Sequence, residues 1–436
     1  MRIFMLGWEF PPFITGGLGT ACYGLTKAMD KMGLNITFVL PKVLDAATSS
    51  HVKMLTPANL KSKEYSEIAH TELEKVKFLY TQETLAQPYD NPVVYNQKVQ
   101  EYLTEKKRHQ ITETEIFDSG FQINEHYGQD IFTDIYYYAE AAVRLAIKED
   151  FNIIHAHDWM TYQAGIAVSA MTGKPLIIHV HSTEFDRSGE HVNQRIYDIE
   201  RRGMHAADKI IAVSYLTKNI IMSRYGIKGD KVDVVYNGVE YNGDNGNGLF
   251  AKQTGIKREE KIVLFLGRIT MQKGPEYFLE AAKKVLDVMD NVKFVMAGSG
   301  DMMHRIIEMA ADMGIGNKVL FTGFLRGDDL KQIYKLADLY VMPSVSEPFG
   351  IAPLEALNYD VPVLISKQSG VSEVLTHVLK VDFWDTNEMA NKITAVLKYP
   401  PLQMTLREHG NFEVRKLRWE DAAEKCSRIY NDVVRY

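Results

Sequence analysis

Cysteine is nearly absent: Cys22 and Cys426 are the only two in 436 residues, and neither has a cysteine or histidine nearby at metal-ligand spacing. That excludes a disulfide framework and a zinc-finger arrangement, and it suits a reducing compartment, so a cytoplasmic protein is expected. Long apolar runs are also missing. No window approaches the ~20 apolar residues of a membrane helix. The opening strand-like run breaks at Gly7, short of the roughly seven to fifteen apolar residues a signal peptide needs. Contact with a membrane is therefore expected to be peripheral at most. Excess positive charge is absent too. The net charge is −6, whereas a general nucleic-acid binder should be basic, so no nucleic-acid partner is expected. A GxGxxG turn followed by an acidic residue at the right distance is lacking, which removes support for dinucleotide binding.

What is present is the balance of a globular chain, 46% hydrophobic and 24% charged, and too long for one ordinary core. Short apolar runs alternate with stretches of helical spacing. In the first half they cover 2–7, 35–40, 152–155, 175–181, 209–213 and 232–236; in the second, 261–267, 292–298, 318–322, 338–342 and 361–366. Near-continuous apolar strands alternating with helices predict parallel sheets covered on both faces. One helix opens near Leu18, with Leu18, Cys22, Leu25 and Met29 on one stripe.

The polar, glycine-rich piece Asn242–Gly248 cannot occupy a core element and marks the boundary between two α/β units. The predicted architecture is α/β: two facing, doubly wound Rossmann-like domains, 1–245 and 246–415, with a cleft between them. Residues about 45–130 read as a helical and loop insertion on the first domain. The stretch from Glu413 to Tyr436 reads as one helix that buries Leu417, Ala422, Cys426 and Tyr430. Such sheets bind ligands at the carboxyl ends of their strands, so the site belongs in the cleft.

Four groups of residues carry chemistry at strand ends. Gly16-Gly17, between the first strand and its helix, lets a phosphate approach backbone N–H groups at a helix N-terminus, although a plain tight turn would look the same. Arg268 and Lys273 leave the end of the strand closing at Gly267, where two cations could neutralise a diphosphate; solvated surface cations are the alternative. Ser346-Glu347-Pro-Phe349-Gly350-Ile351-Ala352-Pro-Leu-Glu355 brackets a proline–glycine turn with two acids. Gly350 to Ala352 would offer N–H groups to a phosphate, and Glu355 could accept from paired ribose hydroxyls. His155-Ala-His157-Asp158-Trp159 ends another strand, with both histidines on one face. His179-Val-His181-Ser-Thr-Glu184-Phe-Asp186-Arg187 ends the next, with the donors and acceptors that sugar hydroxyls need, or simply with loop caps and salt bridges.

In this order and over nearly the whole chain, the glycine pair, HAHDW, VSYLTKNII, VVYNGVE, FLGRITMQKG, VMAGSGDM, LFTGFL and EPFGIAPLE resemble the retaining GT-B glycosyltransferases. That group includes bacterial glycogen and starch synthases and the broader family-four enzymes. The resemblance implies transfer of a sugar from a nucleotide diphosphate donor, with no cofactor and no metal. It implies that Gly16 and Gly17 line the donor phosphates and that Arg268 and Lys273 bind the pyrophosphate. Glu347 would be the acid near the reacting sugar, Phe349 to Ala352 would contact sugar and phosphate through backbone, and Glu355 would hold the ribose. Gly323 and Phe324 lie where the base is held, and His157 matches the cleft histidine that meets the donor sugar. His181, Glu184, Asp186 and Arg187 are the candidate acceptor contacts. The final helix, 416–436, is expected to cross back onto the first domain.

Three positions depart from the glycogen synthases that use ADP-glucose: Ile14 stands for lysine, Glu355 for glutamine, and Met160 for the histidine after the tryptophan. They point to the broader sugar-transferring group, while Trp8-Glu9-Phe-Pro-Pro and HAHDW look like glycogen synthases. Glucosyl transfer from ADP- or UDP-glucose to an α-1,4-glucan is thus the first expectation, and a lipid-linked or envelope polysaccharide acceptor the alternative. The basic stretch Lys98–His109 would be the patch for such an acceptor, or a solvated helix face. A sugar-phosphate epimerase would fit the same two-domain plan. A fold that has lost catalysis is disfavoured because Arg268, Lys273, Glu347 and Glu355 are all present.

Overall fold

The computed structural model describes residues 1–11, 16–42, 131–240 and 260–434, with three further strands between 51 and 84. The boundary piece 242–248 and the basic stretch 98–109 lie outside the described residues.

The strand runs become two sheets. The first holds β1 (Arg2–Leu6), β2 (Asn35–Lys42), β3 (Val52–Met54), β4 (Ile68–His70), β5 (Val76–Glu83), β6 (Ile153–His157), β7 (Leu176–Val180), β8 (Lys209–Ala212) and β9 (Val232–Val234). They lie in the order β3-β4-β5-β2-β1-β6-β7-β8-β9. The second holds β10 (Lys261–Leu266), β11 (Val292–Ala297), β12 (Val319–Gly323), β13 (Leu339–Met342), β14 (Val363–Ser366) and β15 (Leu379–Val381). Their order is β12-β11-β10-β13-β14-β15. Pairing is parallel throughout except at β3–β4 and β4–β5. Both sheets reverse direction of winding at their first strand, and the strand ends there open a crevice.

The central strands of each sheet are buried on both faces because nearly all their positions are apolar. Along β1, Phe4 and Leu6 enter the core on one side, and Ile3 and Met5 the core on the other. In the second sheet Val263 and Phe265 face one cluster, Ile262 and Leu264 the other.

Two expectations are corrected. The 45–130 insertion is not only helix and loop: β5 extends the sheet parallel to β2, with Ile36 opposite Val76 and Leu40 opposite Tyr80. Its sequence, VKFLYTQE, mixes apolar and polar residues, so it lacks the continuous apolar signal of a central strand. The tail is two helices, Pro400–Val414 and Trp419–Val434. The N–H groups of Lys416 and Leu417 donate to Glu413 O and Val414 O, which tightens the winding, and Leu417 O then accepts from Val239 N at 3.0 Å. Leu417 therefore lies in the connection, while Ala422, Cys426 and Tyr430 share the buried face of the last helix.

That last helix packs on the helix Gly17–Lys31 through Trp419, whose indole occupies the space a side chain at Gly24 would need; a Cβ there would come within 2.1 Å of it. Polar bonds join the two halves beside the crevice. Ser214 Oγ donates to Pro348 O at 2.6 Å, and Ser346 Oγ to Asp186 Oδ1 at 2.5 Å. Glu373, from the second half, accepts from Tyr215 N and Leu216 N at 2.9 and 2.7 Å, placing an anion at the N-terminus of the helix Tyr215–Tyr225. Among the described residues no helix is long and apolar enough to cross a membrane.

Candidate active site

The carboxyl ends of the two sheets face each other across a cleft of about 1180 Å³. Its second-half wall is organised around Glu347. The backbone there is pinned to the next loop, Glu347 N donating to Gln368 O and Gly370 N to Glu347 O, both at 2.9 Å. The side chain is 8% exposed. Its Oε2 accepts from Lys273 Nζ at 2.5 Å and from Ser344 Oγ at 3.2 Å. Lys273 ends a short 3-10 turn, and Gly274 follows at φ 65, so close to Pro343 that a Cβ would lie 2.1 Å from its carbonyl oxygen. Only glycine allows the two loops to approach so closely. Val345 N, donating to Gln272 O at 2.9 Å, ties them together again.

The next turn supplies N–H groups. Gly350, at φ 104, is the N-cap of the helix Ile351–Asn358 and carries no side-chain cap. Phe349, Gly350, Ile351 and Ala352 all line the cleft, as do Arg268 and Glu355. Glu355 Oε2 accepts from Tyr334 Oη at 2.9 Å. Burial pushes the Glu355 carboxyl above its ordinary range, and that hydrogen bond opposes the rise. Phe324 lies at the cleft with its ring against the Arg326 guanidinium, 4.9 Å from centre to charge. Gly323, at φ 70, stays outside the lining, its carbonyl accepting from Gly298 N at 2.8 Å.

Across the cleft, Gly16 and Gly17 open the helix Gly17–Lys31 with no side-chain cap. An anion between this N-terminus and Lys273 would meet N–H dipoles from one side and a cation from the other. His157 does not reach the lining. It is fully buried, and its Nδ1 lies 2.9 Å from His181 Nε2, so His181 is the ring that meets the cleft. Burial lowers all four histidines of β6 and β7, His155 and His181 to about 3, so the rings are neutral. Asp158 stands at φ 59, and its Oδ1 accepts from His181 N and Ser182 N at 2.7 and 3.3 Å. Burial pushes its carboxyl up to about 7, against the pull of Arg187.

The other candidate acceptor contacts are engaged with one another. Asp186 completes a capping box with Thr183. Arg187 pairs with Glu184 at 3.1 Å and more tightly with Glu200, which also receives the Tyr225 hydroxyl. Glu184 Oε1 further accepts from Ser188 Oγ at 2.6 Å and Asn193 N at 3.0 Å. Glu184 and Arg187 still form part of the cleft wall; Asp186 does not.

Ser344, Tyr334 and Glu200 were not legible from motifs. Tyr334 and Glu200 act on site residues from other elements, a relation that spacing along the chain does not carry, and Ser344 acts on Glu347 from within the same loop. Tyr334→Phe is expected to weaken nucleotide-donor binding by about tenfold with turnover largely kept, the loss of one hydrogen bond to a charged group. Isothermal titration with the donor checks this; unchanged affinity would remove Tyr334 as the group that orients Glu355.

The fold and cleft are those of a two-domain GT-B glycosyltransferase. The model of the starch synthase catalytic domain matches residues 2–233, and that of the glycosyl transferases group 1 matches residues 248–411. An uncharacterized glycosyltransferase of Methanocaldococcus jannaschii is 30% identical over 449 residues, covering 99% of this chain and 98% of the relative. The UDP-Gal:alpha-D-GlcNAc-diphosphoundecaprenol alpha-1,3-galactosyltransferase of Escherichia coli is 26% identical, covering 67% of this chain and 78% of its own. Sucrose-phosphate synthase from Thermosynechococcus elongatus has the same fold, with a TM-score of 0.72 at 19% identity, covering 99% of this chain and 98% of that one. The chain belongs to the GT-B glycosyltransferases, with a first half of the starch-synthase type.

Proposed function

We propose that the protein is a retaining glucosyltransferase, moving glucose from ADP- or UDP-glucose to the non-reducing end of an α-1,4-glucan. The observation that carries the reading is the Lys273–Glu347 pair at 2.5 Å on the cleft wall beside Arg268 and facing the Gly16–Gly17 helix end. The starch-synthase match over residues 2–233 favours the glucan acceptor. In the proposed reaction the bond from sugar C1 to the diphosphate oxygen breaks as C1 bonds to the acceptor oxygen on the same face. The acceptor proton passes to the departing phosphate, and nucleoside diphosphate leaves. Arg268 and Lys273 offset the charge that grows on the leaving group, where fixed charges act most strongly. Glu355 takes the ribose hydroxyls, and the N–H groups from Gly350 to Ala352 meet phosphate and sugar.

No metal takes part in this scheme, so the initial rate is expected to be the same with and without added magnesium. The test incubates purified protein with glycogen and either donor, following nucleoside diphosphate release and chain length. Release with chain lengthening supports the reading. Donor binding without transfer to glycogen would overturn the glucan acceptor and move it to an envelope polysaccharide or a lipid-linked sugar, the latter being the type of acceptor named for the Escherichia coli relative. Conversion of the donor sugar with no acceptor would indicate an epimerase.

A further inference from the structure

Four histidines stack from the cleft wall inward, His181 at the wall and the other three behind it. His155 and His157 alternate along β6, His179 lies in β7 with His181 one residue past its end, and His157 pairs in register with His179. All four therefore point to the sheet face covered by the helices Gly17–Lys31 and Trp419–Val434. Neighbouring rings lie 4.2 to 5.4 Å apart. Three of them are nearly inaccessible, His155 and His157 at 0% and His179 at 2%.

Their hydrogen bonding is incomplete in a definite pattern. The Nδ1 of His155 is 2.7 Å from the Tyr430 hydroxyl, and the Nδ1 of His157 is 2.9 Å from His181 Nε2. The Nε2 atoms of both rings, and both nitrogens of His179, have no hydrogen-bond partner among the described residues. Leaving a buried polar atom unpartnered costs stability. One nitrogen from each of His155, His157 and His179 lies within 4.8 Å of those from the other two.

We propose that His155, His157 and His179 form a buried site for one first-row divalent transition-metal ion, which ties β6 to β7 under the cleft. Three neutral imidazoles are a ligand set suited to zinc, cobalt, nickel or copper. Metal-bound histidines usually use their other nitrogen in a fixed hydrogen bond, which here Tyr430 supplies to His155 and His181 to His157. With bonds of about 2.0–2.1 Å to the ion, the three nitrogens must draw in by roughly an ångström on binding. His155, His157 and His179 are outside the cleft lining to which Arg268 and Lys273 belong, so the proposal goes beyond the transfer reaction and does not depend on it.

The test uses the full chain without a histidine tag, stripped with chelator, and titrated with Zn²⁺ or Co²⁺ while bound metal, cobalt absorption and melting temperature are followed. One ion per chain, a tetrahedral cobalt spectrum with one water completing the three histidines, and a raised melting temperature are expected. His179→Gln should weaken binding at least about 100-fold, and Tyr430→Phe by about 10–100-fold. Exposed His304, changed to alanine, should leave binding as it was. Should His179→Gln fail to fold, Tyr430→Phe and the wild-type cobalt spectrum still decide. Absence of stoichiometric binding, or binding unaltered in both variants, overturns the site. A sulfur-to-cobalt charge-transfer band lost in Cys22→Ser also overturns it, because Cys22, His157 and His181 form a neighbouring triad of the same spacing.

Discussion

Glu347→Ala is expected to lower kcat by about 10²–10³-fold, the size seen when one preorganised electrostatic group is removed from a reacting centre. The Glu347 side chain is 8% exposed and its carboxylate holds the Lys273 ammonium at 2.5 Å, so it fixes where that cation sits before any donor binds. Without it the ammonium can still be hydrated, because the Lys273 side chain is 23% exposed. The turn also keeps its shape, since Gln368 and Gly370 hold the Glu347 backbone through groups the substitution leaves in place. Loss of turnover with an unchanged circular dichroism spectrum and a cooperative melt is therefore the expected result. Steady-state kinetics give the sharper reading: a fall in kcat with little change in KM places the effect in the transition state. Full activity, or a protein that no longer folds, would remove Glu347 from that role.

Arg187→Met is expected to cost about 3–5 kcal/mol of stability, the usual result of removing one partner from a buried ionic network. The Arg187 side chain is 12% exposed and lies between Glu184 and Glu200, which are 4% and 1% exposed. These two acids and Asp158 hold the guanidinium charged despite its burial. Methionine fills much of the volume but leaves the carboxylates buried without their cation. A large shift in the denaturation midpoint at constant slope would express this. Adding Glu200→Gln should recover part of the loss, because it removes one of the stranded charges. A stability change within about 0.5 kcal/mol, with a raised KM for the acceptor instead, would make Arg187 a sugar contact and not a structural ion.

The architecture was legible because parallel strands buried on both faces leave an unmistakable apolar run, as in KIVLFL and LYVM. The candidate donor residues Arg268, Lys273, Glu347, Gly350 and Glu355 were found because they follow such runs, and the cleft gathers all five. The signal failed where a strand alternates apolar and polar residues, as β5 does. It failed again where helical periodicity runs on through a break, as at Leu417, because periodicity does not register a carbonyl diverted to Val239.

Local chemistry thus set the elements and the order of their strand ends, since residue types and short-range spacing govern propensity, burial and turns. Partnership across the fold was not available at that level. Tyr334 reaches Glu355 from a different helix, Arg187 meets acids from two elements, and four histidines become one stack only because β6 and β7 lie side by side under a helix from the far end of the chain. These contacts between elements join residues from 13 to 275 positions apart, where one-dimensional spacing says nothing about distance. Packing alone decides whether a histidine faces sugar, solvent or another histidine.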